Sequence, residues 1–498
     1  MKRILSFIIA FVACAALSLA QAERLEKIRL GYYPDRIRAV FDFNSIFSYA
    51  PEESKEKIVL HFPNAEASRD IPSYVEVNDV IIRFFEVEKE ENGLKISIPL
   101  GEPIPYNIFA LTEPYRLIVD FDREFTNLTS GGTIIDGVES LTVNKGTQNG
   151  RVIAQVLKID PTKAEISPAL ARKHKPNVLE SFAGAVTPWD EKDNDKGDQH
   201  FFRATVGSIA EEQGAVAAIN GTYFAYNGKP LGTLLVDKEL VSTPIYDRTA
   251  LIISDDGNAY IDNIMIECYF NSPANERFDI TGVNQGIKDN SVIMYTPAWG
   301  EKTGAGRGGV ELSVVNSKVA GIGLANSTIP QDGYVLSTTG TVSQVITEKF
   351  KIGDPVDLHI RVIPYISSPS TILHMISGGP RLVKNNQVYV SKNEENFKAD
   401  IAKSRAARTA VGITKDNKIL LVTVDGLPRQ KKNRNEKSSI GMTLEELAEL
   451  MINLGAIEAM NLDGGSSTTM WIDGKIVNRP VNGYSSPVSN AIVIRPKL

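Results

Sequence analysis

The 498-residue chain is too long for one hydrophobic core, so two or more domains are expected. With 42% hydrophobic and 23% charged residues it has the composition of a folded protein rather than a disordered one. A formal net charge of −6 excludes a global attraction to nucleic acid or anionic membrane, so any polyanion must be held by a local basic patch.

Lys2 and Arg3 precede an apolar run from Ile4 to Ala16, and Ala20-Gln21-Ala22 supplies small residues for cleavage. Residues 1–22 therefore read as a secretory signal, which implies a secreted or envelope location. A lipoprotein acylated at Cys14 is the competing reading, but Phe11-Val12-Ala13-Cys14 is a poor lipobox. Cys14 and Cys268 are the only cysteines, so the mature chain has no intramolecular disulfide, and Cys268 reads as a small buried hydrophobe.

From 23 to 124 the pattern is β. Arg38–Phe43, Lys57–Phe62, Val80–Phe85, Leu94–Leu100 and Arg116–Phe121 are short alternating runs separated by Pro, Asn and Gly, which predicts a small β-sandwich. The ending Pro114-Tyr-Arg-Leu-Ile-Val-Asp-Phe121 resembles that of the AMIN domain, and the resemblance implies an envelope or peptidoglycan-binding module. Residues 125–150, rich in Thr, Gly, Asn and Ser, read as a linker, with 151–498 as the main domain. Asp190–Asp198 is dense in carboxylates but lacks the ordered spacing of an EF-hand, so a solvated loop is favoured over a calcium site.

From Val206 onward strands and helices alternate irregularly, with no evident repeat period, and an α+β, sheet-dominated fold is expected. The clearest helix starts at the capping box Thr443-Leu-Glu-Glu446, continues with an apolar stripe at Leu444, Leu447, Ala448 and Met451, and stops at Gly455. Lys418–Asp425 reads as a strand. The basic run Arg429–Lys437 is either a solvated loop or a lip over an anionic substrate.

Chemistry concentrates at predicted strand ends. Asn461-Leu-Asp-Gly-Gly-Ser-Ser467 places a carboxylate before two glycines that admit close approach of a ligand, followed by two hydroxyls. Asn220-Gly221, Ser377-Gly-Gly-Pro-Arg381, Arg405-Ala-Ala-Arg-Thr-Ala-Val-Gly412 and Val424-Asp-Gly426 have the same character. A turn would account for any one of these alone. His61, His174, His200, His359 and His374 stand outside these motifs. No zinc-peptidase signature, nucleophile elbow or P-loop occurs, so no metal ligands and no cofactor are assigned, and a divalent metal is left open.

Taken in order, Asn-Gly-x-Tyr-Phe, Gly-Gly-Pro, Arg-Thr-Ala-x-Gly, Asp-Gly, Gly-Met-Thr-Leu and Asn-Leu-Asp-Gly-Gly-Ser-Ser resemble the phosphodiester glycosidase family over 206–498. That resemblance implies hydrolysis of sugar-1-phosphodiesters, for example N-acetylglucosamine-1-phosphodiesters, on glycans or cell-wall polymers. The alternative is a non-catalytic binder of glycan phosphate serving envelope or exopolysaccharide assembly. For the enzyme reading, Asp463 is the first candidate carboxylate and Asp425 the second. Arg408 is the candidate phosphate clamp and Arg405 its substitute, because a planar guanidinium binds two oxygens at once. Asn220, Gly221, Thr409, Gly464, Gly465 and Ser466 are expected to contact substrate.

Overall fold

The computed structural model describes residues 23–172, 201–397, 404–433 and 438–497, apart from 78, 80, 307 and 308. The expected signal segment 1–22, His174, the carboxylate-rich 190–198 stretch, His200 and residues 434–437 of the basic run lie outside them. The chain divides into two compact units, Met1–Phe125 and Thr126–Leu498.

The first unit consists of two five-stranded sheets. Alternation along Arg36–Phe43 sends Ile37, Ala39, Phe41 and Phe43 into a shared core with Ile58, Leu60, Phe62, Ile96 and Ile98 of the other sheet. Each of these Ile, Leu and Phe side chains contributes roughly 1.5–3 kcal/mol by leaving water. The other face of the same strand is charged, with Arg38 bidentate on Asp120 at 2.6 and 2.7 Å. The strand expected at Val80–Phe85 instead runs over Phe84–Glu90. Its Val87 stays buried while Glu86, Glu88 and Glu90 face water, so charge on the outer face hid the period-two pattern.

Residues 125–150 are not a linker. Phe125–Ile135 is an edge strand, and Val138–Thr147 forms a hairpin with Gly150–Ile159, which in turn pairs with Ile419–Val424. The Thr, Ser and Gly content that resembles a loop belongs to a strand exposed along most of its length.

The second unit is sheet-dominated, with sheets of eight, five, seven and five strands. Three α-helices occur among its described residues: α1 (Val206–Glu212), α2 (Thr341–Lys349) and α3 (Leu444–Asn453). The expected capping box is present on α3: Thr443 Oγ1 accepts from Glu446 N at 3.2 Å, and Glu446 returns a carboxylate to Thr443 N at 3.1 Å. Leu444, Leu447, Ala448 and Met451 bury the predicted stripe against the eight-stranded sheet. Among the described residues, no helix is long and apolar enough to cross a membrane. Cys268 is half-buried, and burial pushes its thiol up to about 12, as suits a small apolar filler.

Candidate active site at the converging strand ends

Register puts the motifs on one edge. Arg408–Thr414 lies between Ile419–Val424 and Ala456–Asn461, antiparallel to both, with Arg408 opposite Val424 and Ala410 opposite Asn461. The start of the central strand and the ends of its neighbours therefore coincide, so Arg408, Asp425 and the 461–463 segment emerge together. Ala217–Asn220, from a second sheet, ends at the same place: Asp463 N donates to Gly221 O at 3.2 Å. A third sheet contributes the Gly-Gly-Pro turn, whose Gly379 N donates to Asn461 O at 2.7 Å.

Asn220 is the knot of this junction. Fully buried, it donates Nδ2 to Asp463 O at 2.7 Å, while its Oδ1 accepts from Thr409 Oγ1 at 2.9 Å and Thr469 N at 3.1 Å. Thr409 is equally buried. The expected sugar contacts from Asn220 and Thr409 are thus corrected: their polar atoms are occupied in holding the Asp463 loop. Gly221 is buried as well, and a Cβ there would collide with Asn490 Oδ1, the acceptor for Thr222 N at 2.8 Å. Its role is close packing and not ligand contact.

Asp463 itself is half-buried. Desolvation pushes its carboxyl up to about 6, against hydrogen bonds from Ser467 and from Gly464 N, the latter at 3.0 Å. Gly464 lies against Ala407 O, where a Cβ would sit 3.0 Å away, and Gly465 takes a left-handed φ of +63° to start the turn Gly465–Ser467. Ser466 is half-buried, and its hydroxyl makes no hydrogen bond among the described residues, leaving it available beside Asp463.

The other candidates separate. Arg408 is buried, donates Nε to Met442 O at 3.0 Å and Nη2 to Ser404 O at 2.6 Å, and has its pKa lowered by burial. Arg405 forms an ion pair with Glu446 and donates to Gly441 O at 2.8 Å, so it serves the start of α3 and is not a spare phosphate clamp. Asp425 reaches the same edge, but its Oδ1 accepts from Arg479 N at 2.8 Å and its carbonyl from Ser439 Oγ at 2.5 Å. Burial raises Asp425 to about 6 despite the Arg479 amide and the Asn478 side chain. His374 is buried in a strand away from these groups, with Nδ1 accepting from Asp237 N at 3.2 Å.

Sequence reasoning missed the group packed around Tyr223. The Tyr223 hydroxyl donates to Gly379 O and accepts from Asn461 Nδ2, both at 2.9 Å. Desolvation foremost, then the Asp463 charge, raises its pKa, while Asn461, Arg408 and Arg248 oppose that rise. The phenol stays neutral and remains a fixed dipole among three charges. Arg248 lies over the Phe397 ring at 4.1 Å, and that ring packs 5.8 Å from Tyr223. Tyr223 could have been found inside the Asn-Gly-x-Tyr-Phe motif. Among the described residues no three His, Cys, Asp or Glu side chains gather as metal ligands.

Comparison with known proteins bears on this arrangement. Residues 305–495 match the family model for phosphodiester glycosidase. The chain is 23% identical over 161 residues to N-acetylglucosamine-1-phosphodiester alpha-N-acetylglucosaminidase of Mus musculus, covering 30% of this chain and 29% of that protein. For the Bos taurus protein of the same name the figures are 27% over 124 residues, 23% and 22%. The chain thus spans less than a third of the length of either relative. A hypothetical protein from Synechocystis, of solved structure, shares its fold with a TM-score of 0.58 and 21% identity, covering 96% of this chain and 81% of that one.

Proposed function

We propose that this chain, whose residues 305–495 match the phosphodiester glycosidase family model, hydrolyses sugar-1-phosphodiester linkages of glycans or cell-wall polymers outside the cytoplasm. The observation that carries the reading is the convergence of strand ends from three sheets on one half-buried carboxylate, Asp463, which burial holds at about 6. Hydrolysis of a sugar-1-phosphodiester expels a phosphate monoester. That leaving group is a weak base, so the bond breaks with little help from a general acid. The demand falls instead on a carboxylate at the anomeric carbon, where positive charge develops.

Asp463 meets that demand in a partly desolvated setting, where its charge is screened less than in bulk water. Asn220, Thr409 and the Gly221 carbonyl hold the loop, so the carboxylate needs little reorganisation. Ser466 offers a hydroxyl to a sugar or phosphate oxygen, and Arg408 acts as a fixed positive charge whose field reaches Tyr223. Asp425, buried against the 478–479 segment, is the reserve carboxylate.

The location outside the cytoplasm is supported by the signal-like residues 1–22. Incubating the mature chain with a panel of sugar-1-phosphodiesters and ordinary glycosides tests the reading. Release of free sugar from the phosphodiesters is expected, and binding without release across the panel would favour a glycan-phosphate binding protein.

A further inference from the structure

The tripeptide Arg-Thr-Ala occurs twice, at 248–250 and at 408–410, each time at the start of a strand. Both strands end in the same turn. Ser254 Oγ donates to Asp256 Oδ1 at 2.5 Å and to Asn258 O at 3.0 Å, and Thr414 Oγ1 donates to Asp416 Oδ1 at 2.5 Å and to Lys418 O at 3.3 Å. Each turn leads into an antiparallel partner strand. At the opposite ends the two hairpins again behave alike. Thr249 O accepts from Gly378 N at 2.9 Å, just before the Gly379 that anchors Tyr223, and Thr409 O accepts from Leu462 N at 2.8 Å, just before Asp463. Two hairpins of one design thus deliver Arg248 and Arg408 to the same tyrosine.

Their guanidinium groups differ in what remains free. Arg408 is buried, and Nε and Nη2 are committed to backbone carbonyls. Arg248 is half-buried and donates only Nε, to Glu395 O at 3.3 Å; its Nη groups donate to nothing among the described residues. Glu395 is itself held firmly, accepting from Thr249 N at 3.0 Å, Thr249 Oγ1 at 2.7 Å and Arg381 N at 2.9 Å. Phe397 at 4.1 Å and Tyr246 at 5.4 Å orient the guanidinium plane. A stacked, tethered guanidinium with a free terminal edge is pre-organised for two oxygens of one anion, and little rotamer entropy remains to be lost on binding.

We infer that Arg248 binds the unesterified oxygens of the substrate phosphate and so sets the preference for a phosphodiester over a neutral glycoside, an inference resting on the activity proposed above. Calorimetric titration of the full chain with N-acetylglucosamine-1-phosphate, N-acetylglucosamine and inorganic phosphate tests it. The wild type should bind the sugar phosphate at least about ten-fold tighter than the sugar, and Arg248→Gln should lose that preference, weakening sugar-phosphate binding roughly ten- to hundred-fold. Arg248→Lys, which keeps charge but not the fork, should recover part of it, with thermal melts checking that both variants fold. A wild type without preference, an Arg248→Gln variant that keeps it, or equal loss for sugar and sugar phosphate would each overturn the assignment. If the chain prefers the sugar phosphate through Arg248 yet cleaves no phosphodiester, the proposed activity fails and the ligand assignment stands.

Discussion

Replacing Asp463 with Asn should make the protein more stable at neutral pH while disabling its site. Burial raises the carboxyl from 3.8 to about 6 in the folded chain. In the unfolded chain it ionises near its ordinary value, so between about pH 4 and 6 the native state binds more protons than the unfolded one. Stability contributed by this group therefore falls as pH rises through that window, and above it the full cost of the buried charge is present. The rise from 3.8 to about 6 corresponds to about 3 kcal/mol as an upper bound. The Asn amide oxygen can still accept from Gly464 N and carries no charge, so Asp463→Asn recovers most of that cost above pH 7 and almost none at pH 4. Asp425, raised to a similar value, is present in both proteins and cancels. Thermal melts of both proteins from pH 4 to 8 read the effect. For a unit larger than 250 residues, 3 kcal/mol corresponds to a rise in Tm of about 3–6 °C. A difference that is the same at every pH, or a variant that is the less stable protein at pH 8, would refute a buried charge at Asp463 as the cause.

The pH dependence of kcat/KM on a phosphodiester should rise through about 6 as Asp463 loses its proton; a profile flat from pH 4 to 8 would exclude a role for its charge. Arg408→Ala should raise KM and lower kcat together, since substrate phosphate is charged in both ground and transition states, and steady-state kinetics showing an effect on neither would remove Arg408 from the site. Gly221→Ala should destabilise the fold by about 1–3 kcal/mol, because the new Cβ meets Asn490 Oδ1 and Ile376 Cδ1, and urea unfolding checks this.

What could be read from the sequence was local. The α3 capping box and its stripe, the strand-end position of Asn220 and the Asn461–Ser467 turn depend on contacts within a few residues, and the pattern displays those contacts directly. Longer-range partners were hidden. Arg405 looked like a free cation until folding brought Glu446 to it, 41 positions away. Arg248, Tyr223 and Phe397 come from separate stretches and meet only because three sheets end at one junction. The exposed edge strand Phe125–Ile135 looked like a linker because solvent-facing strand residues have the same composition as a loop.

Turnover by Asp463→Asn on a sugar-1-phosphodiester, measured beside its affinity for the same substrate, tests the assignment of the carboxylate most directly. Binding should persist, because Asn keeps the shape of Asp463 and its contact with Gly464 N, while kcat falls on the order of 10²-fold or more. Near-normal turnover would contradict the account, pass the role to Asp425, and leave the Asn461–Ser467 loop as a turn that fastens three sheets together.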